Sequence, residues 1–406
     1  MNIGNRQIAF AGLASLAPAL INVGSTVVLA NSSDEKTASS ALVFAALFFI
    51  SIDSTQIGST RLVQHPLFAS NIALLHLADK ITGLVSMLVF AAVVFGYSKL
   101  TGLPTELMFT AIALSPLTFI YSIGQTPIGI LRTKKKNEAL ALFAILASIS
   151  RAVVCSLFLN EKISPHFFVA LFLITECIGG SLAAVCSKYY KLESAPKTIE
   201  RTNTNTRTTY SVFLSSWFNS VATGLNKHLD IVLIGAFGSP QILLLYRPIK
   251  GLLNLVFNFS QTISQVIAHK LDATATRLAS KRIGFPKISG TLLLTTLFFG
   301  TIFAGVGYLS NKISGLEISF KEWFLVSACC LFVVVSRLLR SMLIYKGAHR
   351  SDLNSTLLEA FILYSGIFVL GVHLTLSAIL LSVLLSLIAS SMLLLQSVKV
   401  LHEKSA

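Results

Sequence analysis

Acidic residues are scarce in this chain, 17 Asp and Glu against 32 Lys and Arg, and charged residues of either sign make up only 12% of its 406 positions. A soluble domain carries roughly a quarter of its residues charged, so an ordinary water-soluble globule is excluded. Cysteine is almost as rare. Cys155, Cys177, Cys186, Cys329 and Cys330 all lie in apolar stretches without a CxxC spacing, which removes a disulfide framework and a thiolate metal site. His228 and His373 are too isolated in the sequence to suggest a metal. There is no phosphate-cradling P-loop, no GxSxG nucleophile elbow and no HExxH pair. Without a nucleotide site the chain is not by itself an ATP-driven pump, and no cofactor is expected. Long polar loops between apolar stretches are also lacking. The longest on one side, Asn31–Thr37 and Ser310–Glu322, leave no room for an extracytoplasmic catalytic or receptor domain.

What the chain has in quantity is hydrophobicity, 54% of residues with a mean hydropathy of +0.76. Apolar stretches recur near the length of about 20 residues that a membrane-spanning helix needs. Twelve are expected: 8–29, 38–59, 79–98, 107–129, 139–159, 167–187, 212–237, 242–267, 288–309, 323–345, 355–372 and 375–397. The ends of the second, seventh and eighth are the least sharply marked, because those stretches carry polar residues. The net charge of +15 has a placement that excludes nucleic acid as its partner. With the N-terminus cytoplasmic, twenty Lys and Arg fall on that side, while Lys36, Lys99, Lys162, Lys312 and Lys321 fall on the other. That asymmetry fixes the orientation and an even number of spans, so both termini are expected in the cytoplasm. Arg6 and Ala17-Pro18-Ala19 mimic a cleavable leader, but the apolar run continues to Ala30 and is read as the first span.

One hydrophilic segment interrupts the pattern, 188–209 with its run Thr-Asn-Thr-Asn-Thr-Arg-Thr-Thr. It divides the chain into a lobe of six spans over 1–187 and a second of six over 210–406, the layout a duplicated six-helix repeat produces. The fold class expected is therefore an all-α polytopic membrane protein, twelve transmembrane helices in two six-helix lobes around a central cavity. Pro18, Pro116, Pro127 and Pro248 fall inside spans, where proline removes a backbone donor and bends a helix. Pro248 is the one whose bend suggests a function, because it stands between Arg247 and Lys250.

Cations inside the spans carry the functional signal. Arg151, Lys227, Arg247, Lys250, Arg337 and Arg340 all lie in stretches apolar enough to cross a bilayer. A lone cation at mid-membrane costs about 2.5–3.5 kcal/mol on insertion scales. Six facing lipid would be hard to insert, whereas six facing a hydrated interior suit an anionic cargo. Arg337 with Arg340, and Arg247 with Lys250, are three apart and so share a helix face. Lys227 and Asp230 repeat that spacing, with mutual neutralisation as the plainer alternative. Arg340 and Arg247 have the alternative of snorkelling toward an interface; Arg151, near mid-span, does not. Among the intramembrane acids Asp53, Asp79, Glu176, Asp230 and Glu359, those picked out for ion or proton coupling are Asp53, Asp230 and Glu359, with Asp230 foremost for its apolar C-terminal flank.

Two stretches resemble the Wzx-type O-antigen and polysaccharide flippases of the multidrug/oligosaccharidyl-lipid/polysaccharide exporter superfamily. One is His228–Leu271, an Asp before an apolar half-helix, a Gly-containing turn, Tyr246 and a long helix. The other is Gly129–Arg151, a basic loop followed by a helix with an internal Arg. Leu244 and Leu245 stand where such proteins often have Gly shortly before the Tyr. The resemblance implies two six-helix lobes enclosing a cationic cavity, in a bacterial inner-membrane protein that is not an enzyme. It implies a substrate too: an undecaprenyl-diphosphate-linked oligosaccharide moved from the cytoplasmic to the periplasmic leaflet by alternating access. Membrane lipids, a glycan polymerase and chain-length proteins are the partners it implies, with H⁺ or Na⁺ as the coupling ion. The physics suits that task, since a glycan abandons its hydrogen bonds in hydrocarbon and Arg binds a diphosphate bidentately. With the cytoplasm negative, outward movement of an anion gains about 2.3 kcal/mol per charge per 100 mV. The rival readings are an exporter of drugs or of another lipid-linked substrate in the same superfamily, and a membrane glycan polymerase. The cation excess opposes a carrier of lipophilic cations, and the short outer loops oppose a polymerase.

Overall fold

The computed structural model describes residues 3–63, 72–134, 137–189, 206–257, 260, 318–345 and 349–405, and every regular element among them is helical. In chain order these are α1 (Ile3–Ala30), α2 (Glu35–Thr55), the single turn α3 (Ser59–Leu62), α4 (Ile72–Thr101), α5 (Thr105–Ala113), α6 (Pro116–Ile123), α7 (Gln125–Thr133), α8 (Asn137–Leu159), α9 (Pro165–Tyr189) and α10 (Thr206–Phe237). After them come α11 (240–257), α12 (Phe320–Tyr345), α13 (His349–Leu370), a 3₁₀ turn at Gly371–His373, and α14 (Leu376–Ser405). Eight helical stretches among the described residues are long and apolar enough to cross a membrane: in α2, α4, the α5–α7 run, α8, α9, α12, α13 and α14. The expected span at 288–309 lies outside the described residues, as does most of the eighth beyond 257. The first, seventh and eighth spans fall on helices α1, α10 and α11. In α1 the residues whose side chains are described give a shorter apolar stretch, Leu16–Ala30, and α10 and α11 carry charges within their expected spans.

Local chemistry places the helix ends. Asp34 caps α2 by accepting from the Thr37 N–H at 3.0 Å, and Glu35 adds an acidic charge to its positive end. At α12, Ser319 and Glu322 form a reciprocal capping box: the Ser319 N–H donates to Glu322 Oε2 at 2.9 Å, and the Glu322 N–H donates to Ser319 Oγ at 3.4 Å. The fourth expected span is broken twice, giving α5, α6 and α7 between 105 and 133. Pro116 opens α6, where its missing N–H has no cost, and Gly124 joins α6 to α7. Elsewhere proline does not interrupt. Pro18 lies inside α1, and α11 runs on through Pro248, as membrane helices allow when neighbours satisfy the freed carbonyl.

α4 shows how the faces are divided. Leu74, Leu77, Ile81, Leu84 and Leu88 are exposed along one stripe, while Leu75, Asp79, Gly83, Ser86 and Phe90 are buried along the other. Large aliphatic residues point outward and small or polar ones inward, the pattern expected of a helix solvated by lipid. The chain forms two compact units, Met1–Ala236 and Phe237–Ala406. In the first, α1 packs along α8, α9 packs on α8, α6 and α2, and α4 packs on α6 and α2. In the second, α14 packs against both α12 and α13.

Two features position side chains in this frame. A Cβ on Gly124 would run into the Gly180 carbonyl of α9, and one on Gly180 would lie 2.9 Å from the Tyr121 ring, so only glycines allow these helices to cross this closely. Many buried hydroxyls bond to their own helix: Ser25 to the Ile21 carbonyl, Ser51 to Leu47, Thr175 to Phe172, Ser382 to Ala378 and Ser386 to Val383, all at 2.7–3.0 Å.

Candidate functional site

In the C-terminal unit a cation of α12 lies over an aromatic ring of α11, the helix that also carries Arg247 and Lys250. Lys250 is 7% exposed on α11. Phe257, seven residues on, shares its helix face, since seven residues make two turns. The Arg337 guanidinium of α12 lies over the Phe257 ring, with Cζ 3.2 Å from the centroid. A planar guanidinium stacks on such a ring and still presents its donor edge. Arg247 is partly buried and Pro248 buried beside them on α11.

Arg340, one turn beyond Arg337, has a different role. It is 7% exposed and binds side chains on three helices. Its Nε donates to Ser336 on α12 at 3.2 Å, one terminal nitrogen donates to Thr356 on α13, and the other reaches Glu359 Oε2 at 2.6 Å and Ser390 on α14 at 3.2 Å. The ion pair and its supporting hydroxyls make Arg340 the cross-brace of α12, α13 and α14. Such a network compensates the desolvation of both charges.

The N-terminal unit contains a matching brace. Arg151 on α8 is ion-paired with Glu176 on α9, donates to Asn22 Oδ1 on α1 at 3.0 Å, and lies 5.6 Å from the Phe172 ring centroid. Its Nε makes no hydrogen bond among the described residues. Lys227 and Asp230 on α10 differ in environment: Lys227 is exposed and Asp230 is 2% exposed, its Oδ1 accepting from the Ile231 N–H at 2.9 Å. Asp53 on α2 lies against Gly224 of α10, where a Cβ would collide with it, and His228 stacks on Phe49 at 5.1 Å.

Sequence spacing alone did not pick out Asp79, on the buried face of α4 and 1% exposed. It accepts from the Ser59 hydroxyl at 2.5 Å and from the Thr126 N–H at 2.8 Å. Ser59 opens α3 and Thr126 stands in the first turn of α7, so one carboxylate joins two points where helices are interrupted. Lys80, the next residue, is exposed. No group of three or more His, Cys, Asp and Glu that could hold a metal ion occurs among the described residues.

The structure therefore sorts the six cations read from the sequence. Arg151 and Arg340 are held by carboxylates within their own units, Arg337 lies over Phe257, Arg247 and Lys250 stand on the helix that carries Phe257, and Lys227 is on α10 of the N-terminal unit. The charge balance also differs between units. Deep in the described helices the N-terminal unit carries Asp53, Asp79, Glu176 and Asp230 with Arg151 and Lys227. The C-terminal unit carries Arg247, Lys250, Arg337 and Arg340 with Glu359.

No family model matches the sequence, and no curated protein matches it. Solved structures do match over nearly the whole chain. An inward-facing multidrug resistance MATE family transporter of the MOP superfamily superposes with a TM-score of 0.61 at 13% identity, covering 96% of each chain. The lipid II flippase MurJ, in an inward closed conformation, gives a TM-score of 0.63 at 14% identity, covering 96% of this chain and 87% of its own. A MOP superfamily transporter from Pyrococcus furiosus, described as having a binding pocket of reverse polarity that suggests a different function, gives 0.56 at 14% identity, with 98% and 96% covered. The chain thus has the two-lobe, all-helical fold of MOP superfamily transporters, in a multi-span membrane protein. At this identity the likeness defines the fold and not the cargo.

Proposed function

We propose that this protein is a flippase of the bacterial inner membrane. It moves an undecaprenyl-diphosphate-linked oligosaccharide, an O-antigen or related surface-polysaccharide repeat unit, from the cytoplasmic to the periplasmic leaflet by alternating access. The observation that carries the reading is the cation cluster of the C-terminal unit, Arg247 and Lys250 on α11 with Arg337 stacked on Phe257. A diphosphate gives up hydration on entering the membrane, and a guanidinium fork with an ammonium replaces that hydration with charge-assisted hydrogen bonds. The fold supports transport over catalysis, and both a flippase and drug exporters share it. A carrier of lipophilic cations would be repelled by these side chains. Arg151 and Arg340 are assigned to bracing, leaving Lys250, Arg337 and Arg247 as the anion-binding set, with Lys227 as a peripheral contributor.

The test is a deletion strain. Surface glycan should disappear while lipid-linked repeat units accumulate, accessible only from the cytoplasmic side. Repeat units that still reach the periplasmic leaflet normally, in a strain lacking other flippases, would overturn the assignment.

A further inference from the structure

Asp79 is a carboxylate buried in a membrane-spanning helix, with no cation beside it among the described residues. Its two hydrogen bonds come from neutral donors, the Ser59 hydroxyl and the Thr126 N–H. On α4 itself, Lys80 is exposed and His76 half-buried a turn away. On α2, Glu35 and the exposed Lys36 are in the first turn and Asp53 lies against α10. The side chain of Arg61 on α3 is outside the described residues. On α5, Glu106 is in the first turn, 3.1 Å from His166. α6 carries no charged residue, and Arg132 of α7 is exposed, followed by exposed Lys134. No described cation meets Asp79. Its surroundings instead contain buried polar groups that make no hydrogen bond. The Thr126 hydroxyl is fully buried on the very residue whose N–H binds Asp79. The Ser122 hydroxyl lies one turn before it, facing Gly83 one turn beyond Asp79. Gln56 Nε2 lies three residues before Ser59.

A carboxylate shielded from water and without a counter-charge is destabilised as an anion. Its neutral form gains a donor, and the Thr126 hydroxyl beside it can donate to the anion or turn to accept from the acid. The site therefore accommodates either state, with the Ser59 hydroxyl and the Thr126 N–H as donors to the anion. We propose that Asp79 is a protonation site, taking one proton onto a carboxylate oxygen and returning it, and that this step is coupled to transport. The coupling rests on the transport reading above, whereas the protonation does not. The location supplies the linkage. Asp79 ties the α2–α3 interruption at Gln56–Gly58 to the α6–α7 interruption at Gly124, and neutralising it weakens both ties. The N-terminal unit, rich in acids, thus handles the coupling cation, while the C-terminal unit handles the anion.

A built-in reporter lies next to the first tie. Trp217 donates to the Ser54 carbonyl at 2.9 Å, and its neighbour Ser216 abuts Gly58. The chain has two tryptophans, so Trp323→Phe in the full-length purified protein leaves Trp217 as the sole indole. Its emission should follow a one-proton transition as pH is varied. The transition should vanish in Asp79→Asn and persist in Asp53→Asn. Ser59→Ala, which removes one donor, should keep the transition but move its midpoint, and it decides the matter if Asp79→Asn does not fold. A parent protein whose emission does not titrate, an Asp79→Asn protein that titrates unchanged, or an unmoved midpoint in Ser59→Ala overturns the protonation site. Loss of the transition with glycan export intact in cells overturns the coupling. A protein that titrates through Asp79 but exports no glycan overturns the substrate assignment and leaves the protonation site standing.

Discussion

At the scale of single residues, Arg151 and Arg340 are held by acids and Arg337 lies over a phenyl ring, and mutation should separate the two groups. Arg340→Ala would leave Glu359 in the interior without its ion pair, and removing one partner of such a pair costs about 3–5 kcal/mol. A lower melting temperature in detergent is expected, with the Arg340→Ala, Glu359→Gln double variant recovering part of the loss. Lys250→Ala and Arg337→Ala should instead keep normal protein levels and stability and lose glycan export. Arg337→Lys should rescue it poorly, because an ammonium lacks the planar face that stacks on Phe257. The measurement is surface glycan beside membrane-inserted protein in each strain, and normal export in both alanine variants would remove the anion-binding cluster. The identities of these residues were legible in the sequence, since cations in apolar runs stand out. Their partners were not: Arg151 and Glu176 are 25 positions apart, and Arg340 and Ser390 are 50 apart. No periodicity reports which faces of different helices meet. Glu359 was legible as a candidate for ion coupling, but its position against Arg340 depends on the packing of α12 and α13.

At the scale of elements, the broken span from α5 to α7 is the local feature on which the N-terminal unit depends. Gly180→Ala should strain the crossing with α6, since its new methyl meets the Tyr121 ring and backbone at 2.9–3.1 Å, and overpacking costs about 1–3 kcal/mol. Gly179→Ala is the control, because nothing lies within 4 Å of a Cβ there. A thermal shift in the first variant only is expected, and equal shifts in both would contradict the close crossing. Proline marked this break correctly at Pro116 and misled at Pro18 and Pro248. Whether a helix parts at a proline depends on what neighbouring helices offer its freed carbonyl, which is a tertiary property. The stripe of leucines on α4 was visible as hydropathy, but which side of it faced inward was set by Asp79, Gly83 and Ser86 together.

At the scale of the whole molecule, hydropathy carried the all-helical, multi-span character, because a bilayer imposes one length rule on every span. The polar helices α10 and α11 were harder to delimit, since their charges dilute the signal that marks a span. Orientation has its own test. Reporter fusions after Lys136, Thr204 and Arg282 should report cytoplasm, and fusions after Lys162 and Lys312 should report periplasm. A periplasmic signal at Thr204 would dismantle the scheme of six spans on either side.

The inward-bonded hydroxyls have a mechanical consequence. Ser51, Thr175, Ser382 and Ser386 satisfy their hydrogen bonds on their own helices, so they form no cross-links that a relative displacement would have to break. Polar cross-links between helices, among them the Arg151 and Arg340 braces, the Asp79 junction and the Trp217 contact, are the bonds that a displacement has to break. They act as pins, and the barrier to rearrangement depends on which of them a proton or an anion can loosen.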